Sequence, residues 1–470
     1  MSMYLFYDFE TSSRELLGQI LSYAFVLTDE SYDPITSLTG KIKLNRTQCP
    51  EVKAILTNKI NIAHLQETGI PEYEAAETIF NFINQLILKH NQVTLIGFNS
   101  NNFDLSFLRN LLVRYGFNPY FNGKVKNLDI LHWVQSLAFY NHDHFPWVLS
   151  NNNDKCYYSF KLEDITQACS LLTTAQTHDA FEDVILTIKL VSFLGQKFNQ
   201  KLTDFNPILL PEISEKPRLI KQRYRDYVEP GINPKKYIYR YFYPLNLQSK
   251  SLLFINIKQL NDILEKNTSW DHITNDEKTS CIQYINSNKH FFITESCDNQ
   301  DIIPFKTILN LIDNDPFFSQ LNKQPKTYFQ LIQKDWDIEY QIHEIGFDHH
   351  IATLGALKQK LLKNQNLYPE LLQTLLSTRQ SKQDNYLIQL FNRLFLNIAK
   401  NPDLALLNRY LKPRYITTEI YRNPEESLSF LAQENELKHE LGTCTNDKDL
   451  IILEALRDYY QFFKKQLSSA

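Results

Sequence analysis

The sequence predicts an α/β domain, a mixed sheet with helices on its faces, followed by a small β-rich domain and then an α-helical one. Three observations carry this. Residues 1–200 open on strand-like runs and then alternate apolar strands with amphipathic helical stretches. Strand-like runs return between 236 and 296, and from about 348 onward apolar residues recur at helical spacing. The chain has 470 residues, 43% of them hydrophobic, enough to bury a core in roughly two to four domains.

Taken in order, Tyr4–Glu10 reads as a strand, Ile20–Thr28 ("ILSYAFVLT") as a second and Gly40–Leu44 as a third. Pro71 opens a helix through "EYEAAETIFNFINQLILKH", since proline is tolerated in a first turn. Val93–Phe98 ("VTLIGF") is a buried strand, and Leu105–Tyr115 a helix stopped by Gly116. Phe160–Cys169 and Asp179–Phe193 are further helices. "FNPILLPEISEKPR" (Phe205–Arg218) holds Pro207, Pro211 and Pro217 and reads as a linker. Strands follow at Lys236–Tyr243, Ser251–Ile257 and His290–Ser296. The helical end comprises "IATLGALKQKLLKNQ", "YPELLQTLLSTRQ", "NYLIQLFNRLFLNIAKN" and "KDLIILEALRDYYQFFKKQ". The boundaries expected are 1–200, 201–345 and 346–470.

The net charge of −4 gives no globally basic signature, so any nucleic-acid contact must come from local patches. The six cysteines (Cys49, Cys156, Cys169, Cys281, Cys297 and Cys444) form no CxxC pair, which speaks against zinc. Their scatter suits free thiols in a reducing, cytoplasmic setting. No basic stretch followed by an apolar run opens the chain, so no signal peptide is expected. No apolar run approaches the ~18 residues of a membrane span.

The strand "LFYDFET" carries Asp8 and Glu10 two residues apart, so both side chains share one face. Either a cation sits between them or the face is solvated. Asp104 follows "GFNSNNF" at the end of a strand, where it also suits an N-cap. Asp183 lies five residues after His178 in "HDAFED", a spacing common in exposed segments. Four carboxylates gather in a small space only if cations offset their repulsion, and oxygen-only ligands favour Mg²⁺ or Mn²⁺. A pair of such ions suits in-line displacement at phosphorus, and a histidine near its ordinary pKa suits proton removal from water.

"FYDFET", "GFNSNNFDLSFLRN" and "HDAFEDV" resemble the three motifs of the DEDDh 3′–5′ exonucleases, a ribonuclease-H-like family. "SFKLEDIT" (Ser159–Thr166) fits a branch of that family acting on single-stranded DNA, with an SH3-like β-rich domain and a helical domain behind the catalytic one. The resemblance implies that Asp8, Glu10, Asp104 and Asp183 hold two Mg²⁺ ions, with Mn²⁺ as a substitute, and that His178 is the general base. It implies release of 5′-mononucleotides from the 3′ end in DNA repair or recombination, by a monomer that can meet a single-stranded-DNA-binding protein. For the substrate it points to Glu10, Phe160, Lys161, Arg109, Tyr120 and His132. Lys161 and His132 stand where that branch has arginines, so charge without a bidentate fork remains at Lys161. The alternatives are an RNA-trimming or proofreading member and an inactive nucleic-acid-binding scaffold.

Two further stretches lean basic. Lys216 to Lys250 interleaves Lys216, Arg218, Lys221, Arg223, Arg225, Lys235, Lys236 and Arg240 with tyrosines, as a single-strand groove would. The spacing of Tyr237, Tyr239, Tyr241 and Tyr243 equally fits one core-facing side of a strand. Lys358, Lys360, Lys363, Arg379, Lys382, Arg393 and Lys400 read as a solvated helix face or a DNA contact.

Overall fold

Strand β1 (Tyr4–Thr11) lies in the middle of a mixed sheet with β2 (Ile20–Thr28), β3 (Pro34–Lys41), β4 (Val93–Gly97) and β5 (Val125–Asp129), in the order β3-β2-β1-β4-β5. β2 and β3 run antiparallel and β4 and β5 parallel to their neighbours. This is the mixed sheet expected from antiparallel strands followed by strand–helix alternation. Alternation in β1 sends Leu5, Tyr7 and Phe9 into the core and leaves Asp8 and Glu10 on the other face. The third strand runs Pro34–Lys41, earlier than the expected Gly40–Leu44, and β5 was not foreseen.

The computed structural model describes residues 3–141, 143–152, 155–172, 179–205, 220–223, 239–248, 251–286, 293–295, 306–323, 348–418 and 428–468. They form two compact units, one of Met1–Ile130, Thr174–Ser192 and Gln333–Ala470, the other of Leu131–Thr173 and Phe193–Ile332.

In the first unit, short helices α1 (Val52–Asn58) and α2 (Ile62–Thr68) precede α3 (Glu72–His90), which starts directly after Pro71 and buries Ala75, Ala76, Ile79, Ile83 and Leu86 along one side. Helix α4 (Asp104–Arg114) ends before Gly116. Gly116 has φ +76°, and a Cβ there would lie 2.2 Å from the Gly355 nitrogen, so only glycine suits this stop. The C-terminal helices are α12 (Asp348–Lys363), α13 (Tyr368–Thr378), α14 (Lys382–Ile398), α15 (Leu404–Tyr415), α16 (Phe430–Thr443) and α17 (Asp447–Ser468). Leu354, Leu361, Phe391, Leu453 and Phe463 belong to the same apolar core as Leu5, Phe25 and Ile79. The segment 346–470 therefore does not carry its core alone.

Polar ties reinforce this. Tyr459 and Tyr460 donate to the Gln48 and Pro50 carbonyls at 2.7 and 2.5 Å. Glu72, fully buried, sits 3.2 Å from Arg114 and 3.9 Å from Arg393, and takes the Tyr115 hydroxyl at 2.7 Å. Lys358 is buried over the Phe117 ring at 3.9 Å and lies 3.8 Å from Glu77. These two cations correct the reading of a solvated or DNA-facing helix surface at their own positions, whereas Lys360, Lys363, Arg379 and Lys400 are exposed as that reading expects. Lys358 and Arg393 point inward and bind acids of α3.

The second unit holds most of α5 (Ile130–Tyr140), a hairpin of β6 (Leu149–Asn152) and β7 (Lys155–Tyr158), α6 (Leu162–Ala168) and the end of α7 (Ala180–Phe198). It also carries an antiparallel sheet of β8 (Ile220–Arg223), β9 (Tyr239–Gln248), β10 (Ser251–Asn256), β11 (Ile282–Asn286) and β12 (Ile293–Glu295), ordered β11-β10-β9-β8-β12. Helices α8 (Ile257–Asn267), α9 (Asn275–Ser280), α10 (Lys306–Asn314) and α11 (Pro316–Lys323) accompany it. Tyr243 is buried with Leu253, Ile255 and Phe318 and donates to Asp313 at 2.5 Å, the core role its spacing allowed. Lys216, Arg218, Arg225, Lys235, Lys236, Tyr237 and Lys250 lie outside the described residues, as does 206–218 of the expected linker. Among the described residues no helix is long and apolar enough to cross a membrane. Cys49, Cys169, Cys281 and Cys444 are free thiols.

Candidate active site

β1 pairs with β4 only as far as Phe6 opposite Ile96, so Asp8 and Glu10 extend past the last paired residue. They stand at the carboxyl edge of the parallel strands, where open α/β sheets receive ligands. The register against β2 shifts between Glu10 and Thr11, and such irregularities re-aim side chains beside active sites.

Asp183 comes from the first turn of α7. The Asp179 carboxylate fixes that turn by accepting the N–H groups of Phe181 and Glu182 at 3.0 and 3.3 Å, a side-chain cap. Asp8, Glu10 and Asp183 each offer a carboxylate oxygen within 4.8 Å of the others.

Asp104 is the first residue of α4, with Phe103 in the capping position and no side-chain cap bond there. The N-cap reading is thus corrected. The backbone N–H groups of Asp104 itself and of Phe9, which lies between Asp8 and Glu10, favour the charged form of the Asp104 carboxyl. It stands outside the tight trio but acts on Asp8 and Glu10 through its charge.

Glu10, Asp104 and Asp183 are only 8%, 5% and 7% exposed. Burial first, then the charges of Asp183, Asp104 and Asp179, pushes Glu10 up to about 9. Burial raises Asp104 to about 7, with Asp129 adding to it and the two backbone N–H groups opposing. Asp8 is raised by burial and by Asp104, Glu10, Asp183 and Asp179. Carboxyls in such surroundings hold protons that a cation displaces.

A cavity of about 280 Å³ opens on Glu10, lined also by Ser22, Lys41, Asn58, His64 and Asp179. Asn58 is shared with a second cavity of about 690 Å³ that includes Thr11, Arg14, Phe103 and Gln433.

Of the expected substrate residues, Arg109 and Tyr120 meet each other, the guanidinium 5.2 Å from the ring centroid. His132, Phe160 and Lys161 belong to the second unit. There Phe160 packs against Phe145 and Trp147 at 6.2 and 5.9 Å, and Lys161 stands exposed at the start of α6. His178 lies outside the described residues. Sequence reasoning missed Asp129, Asp179 and His64. Asp179 could have been found from its place at the start of a helix, whereas nothing local marked Asp129 or His64.

No family model matches the chain. Solved structures match over nearly all of it. E. coli exonuclease I in complex with a dT13 oligonucleotide gives a TM-score of 0.65 at 17% identity, covering 98% of this chain and 100% of that one. A moderately thermophilic exonuclease I from Methylocaldum szegediense gives 0.62 at 18%, with the same coverage. The fold is exonuclease-I-like from end to end.

In sequence, exodeoxyribonuclease I of Buchnera aphidicola subsp. Acyrthosiphon pisum is 26% identical over 208 residues, 43% of this chain and 48% of the relative. That of the Schizaphis graminum subspecies is 27% identical over 207 residues, 43% and 41%. The match spans about half the length of the curated relatives. The chain is a homologue of exodeoxyribonuclease I.

Proposed function

We propose that this chain is a metal-dependent exonuclease that shortens single-stranded DNA from its 3′ end and releases 5′-mononucleotides. The observation that carries the reading is the convergence of Asp8, Glu10 and Asp183, with Asp104 beside them, in a buried and electrostatically unfavourable group. The donor set is all oxygen, which fits Mg²⁺ or Mn²⁺. E. coli exonuclease I has also been solved as a zinc-bound complex with single-stranded DNA.

Bound there, divalent ions would activate water and take up charge on the leaving oxygen. The chain's own part is to hold and orient. Asp8 and Glu10 offer adjacent oxygens from a rigid strand, and Asp183 is held by the capped start of α7. Asp104 adds its charge beside them. His178, one residue before Asp179, is assigned the proton of the attacking water. Arg109 and Tyr120 offer a cation to phosphate and a ring to a base. Phe160, Lys161 and His132 are assigned further contacts on the strand. The division at 200 and 345 belongs to this proposal, with the first segment catalytic. An exonuclease I has been solved with the SSB C-terminus, and the same partner is proposed for this chain.

The test is a 5′-labelled single strand incubated with Mg²⁺, with EDTA, and beside a matched RNA oligomer. Stepwise shortening from the unlabelled end of DNA, abolished by EDTA, is expected. Internal cutting, metal-independent release or preference for RNA would overturn the reading.

A further inference from the structure

The turn from β4 to α4 delivers Asp104, and it is tightly made. Asn99 sits in the left-handed region at φ 59°, ψ 20°. A Cβ on Gly97 would lie 2.5 Å from the Ser100 Cβ. Such a turn keeps its shape only if neighbouring structure holds it. The neighbour is β5. Asp129, its last residue, is 2% exposed and carries no part in the proposed chemistry. Its two oxygens accept separate backbone donors, Oδ1 the Asn99 N–H at 2.8 Å and Oδ2 the Asn101 N–H at 3.0 Å. Two residues back, the Asn127 amide donates to the Asn101 side-chain carbonyl.

We propose that Asp129 is a positioning residue that locks the Asn99–Asn101 turn and so places Asp104 against β1. The inference rests on the nuclease reading above and deepens it. A carboxylate suits the task because both of its oxygens accept. An amide would turn its NH₂ toward one of these two backbone N–H groups and lose that bond. Displacing Asp104 moves a charge that acts on Asp8 and Glu10 and so changes the group that faces the cation.

The experiment compares wild type, Asp129→Asn and Asn127→Ala in three measurements. These are kcat and KM for nucleotide release from a single-stranded oligonucleotide, DNA affinity in EDTA, and Mn²⁺ affinity by titration. Asn127 is only partly buried, so its variant keeps the fold if Asp129→Asn does not. Asp129→Asn is expected to lower kcat and Mn²⁺ affinity by about 10–100-fold, the range for groups that orient metal ligands. KM and DNA affinity in EDTA stay at the wild-type level, and Asn127→Ala moves kcat and Mn²⁺ affinity the same way by less. Wild-type kcat and Mn²⁺ affinity in both variants would overturn the proposal, as would an activity loss equal to the fraction unfolded. A wild type inert toward DNA sinks the nuclease reading instead, and Mn²⁺ affinity still decides the role of Asp129.

Discussion

Two buried acidic places in the first unit answer the same electrostatic problem differently. Glu72 is fully enclosed, yet Arg114, Arg393 and the Tyr115 hydroxyl surround it. Its charge is balanced from within, by residues on α4, α14 and the turn after α4. Glu10 is nearly as enclosed, and what acts on it besides burial is Asp183, Asp104 and Asp179, all acids. The first arrangement is complete as it stands and ties the C-terminal helices to α3. The second gathers like charges and gains from a cation brought by solution. Buried charge alone therefore says little about function, and the identity of its neighbours says much.

The comparison can be broken first at Glu72. Glu72→Gln leaves two buried guanidinium groups without their acid and should cost about 3–5 kcal/mol of stability, read by denaturant unfolding. The Mg²⁺ dependence of the remaining folded protein should not change. At the other place the effect is on rate. Asp8→Asn should lower nucleotide release by about 10²–10³-fold, the scale for removing one preorganised electrostatic group. The same change relieves repulsion, so metal-free Asp8→Asn should melt at or above wild type, by calorimetry.

pH sharpens the contrast. Glu10 and Asp104 hold protons more tightly folded than unfolded, so their contribution to stability is full below about pH 4. It is lost as pH rises through about 7 for Asp104 and about 9 for Glu10. Metal-free protein should therefore lose melting temperature between pH 5 and 9. Mg²⁺ should raise the melting temperature more at pH 8 than at pH 5.5, because fewer protons must leave. Equal Mg²⁺ shifts at both values would contradict this. The smallest effect is expected at Lys358. Lys358→Met removes a cation over Phe117 and should cost about 1 kcal/mol, with DNA affinity unchanged in a binding titration.

The sequence announced the site better than its supports. Asp8 and Glu10 were legible because a strand's period of two leaves no choice of face. Asp104 and Asp183 were legible as acids at helix starts, but the influence of the Phe9 N–H on Asp104 joins residues 95 positions apart and has no local mark. Asp129 was invisible for the same reason, and because β5 itself was not foreseen. Lys358 and Arg393 were misread because helical periodicity reports which residues share a face, not whether another element covers it. Tyr243 shows the converse, since its alternation allowed a core role beside a groove role and burial is found.

The central claim, that these carboxylates form a cation site, is tested most directly by titrating Mn²⁺ into metal-free protein in weakly buffered solution near pH 7 while recording heat and proton release. Saturable binding with protons released, lost in Asp8→Asn and kept in Lys358→Met, is the predicted result. Absence of binding, or binding indifferent to Asp8→Asn, would contradict the account.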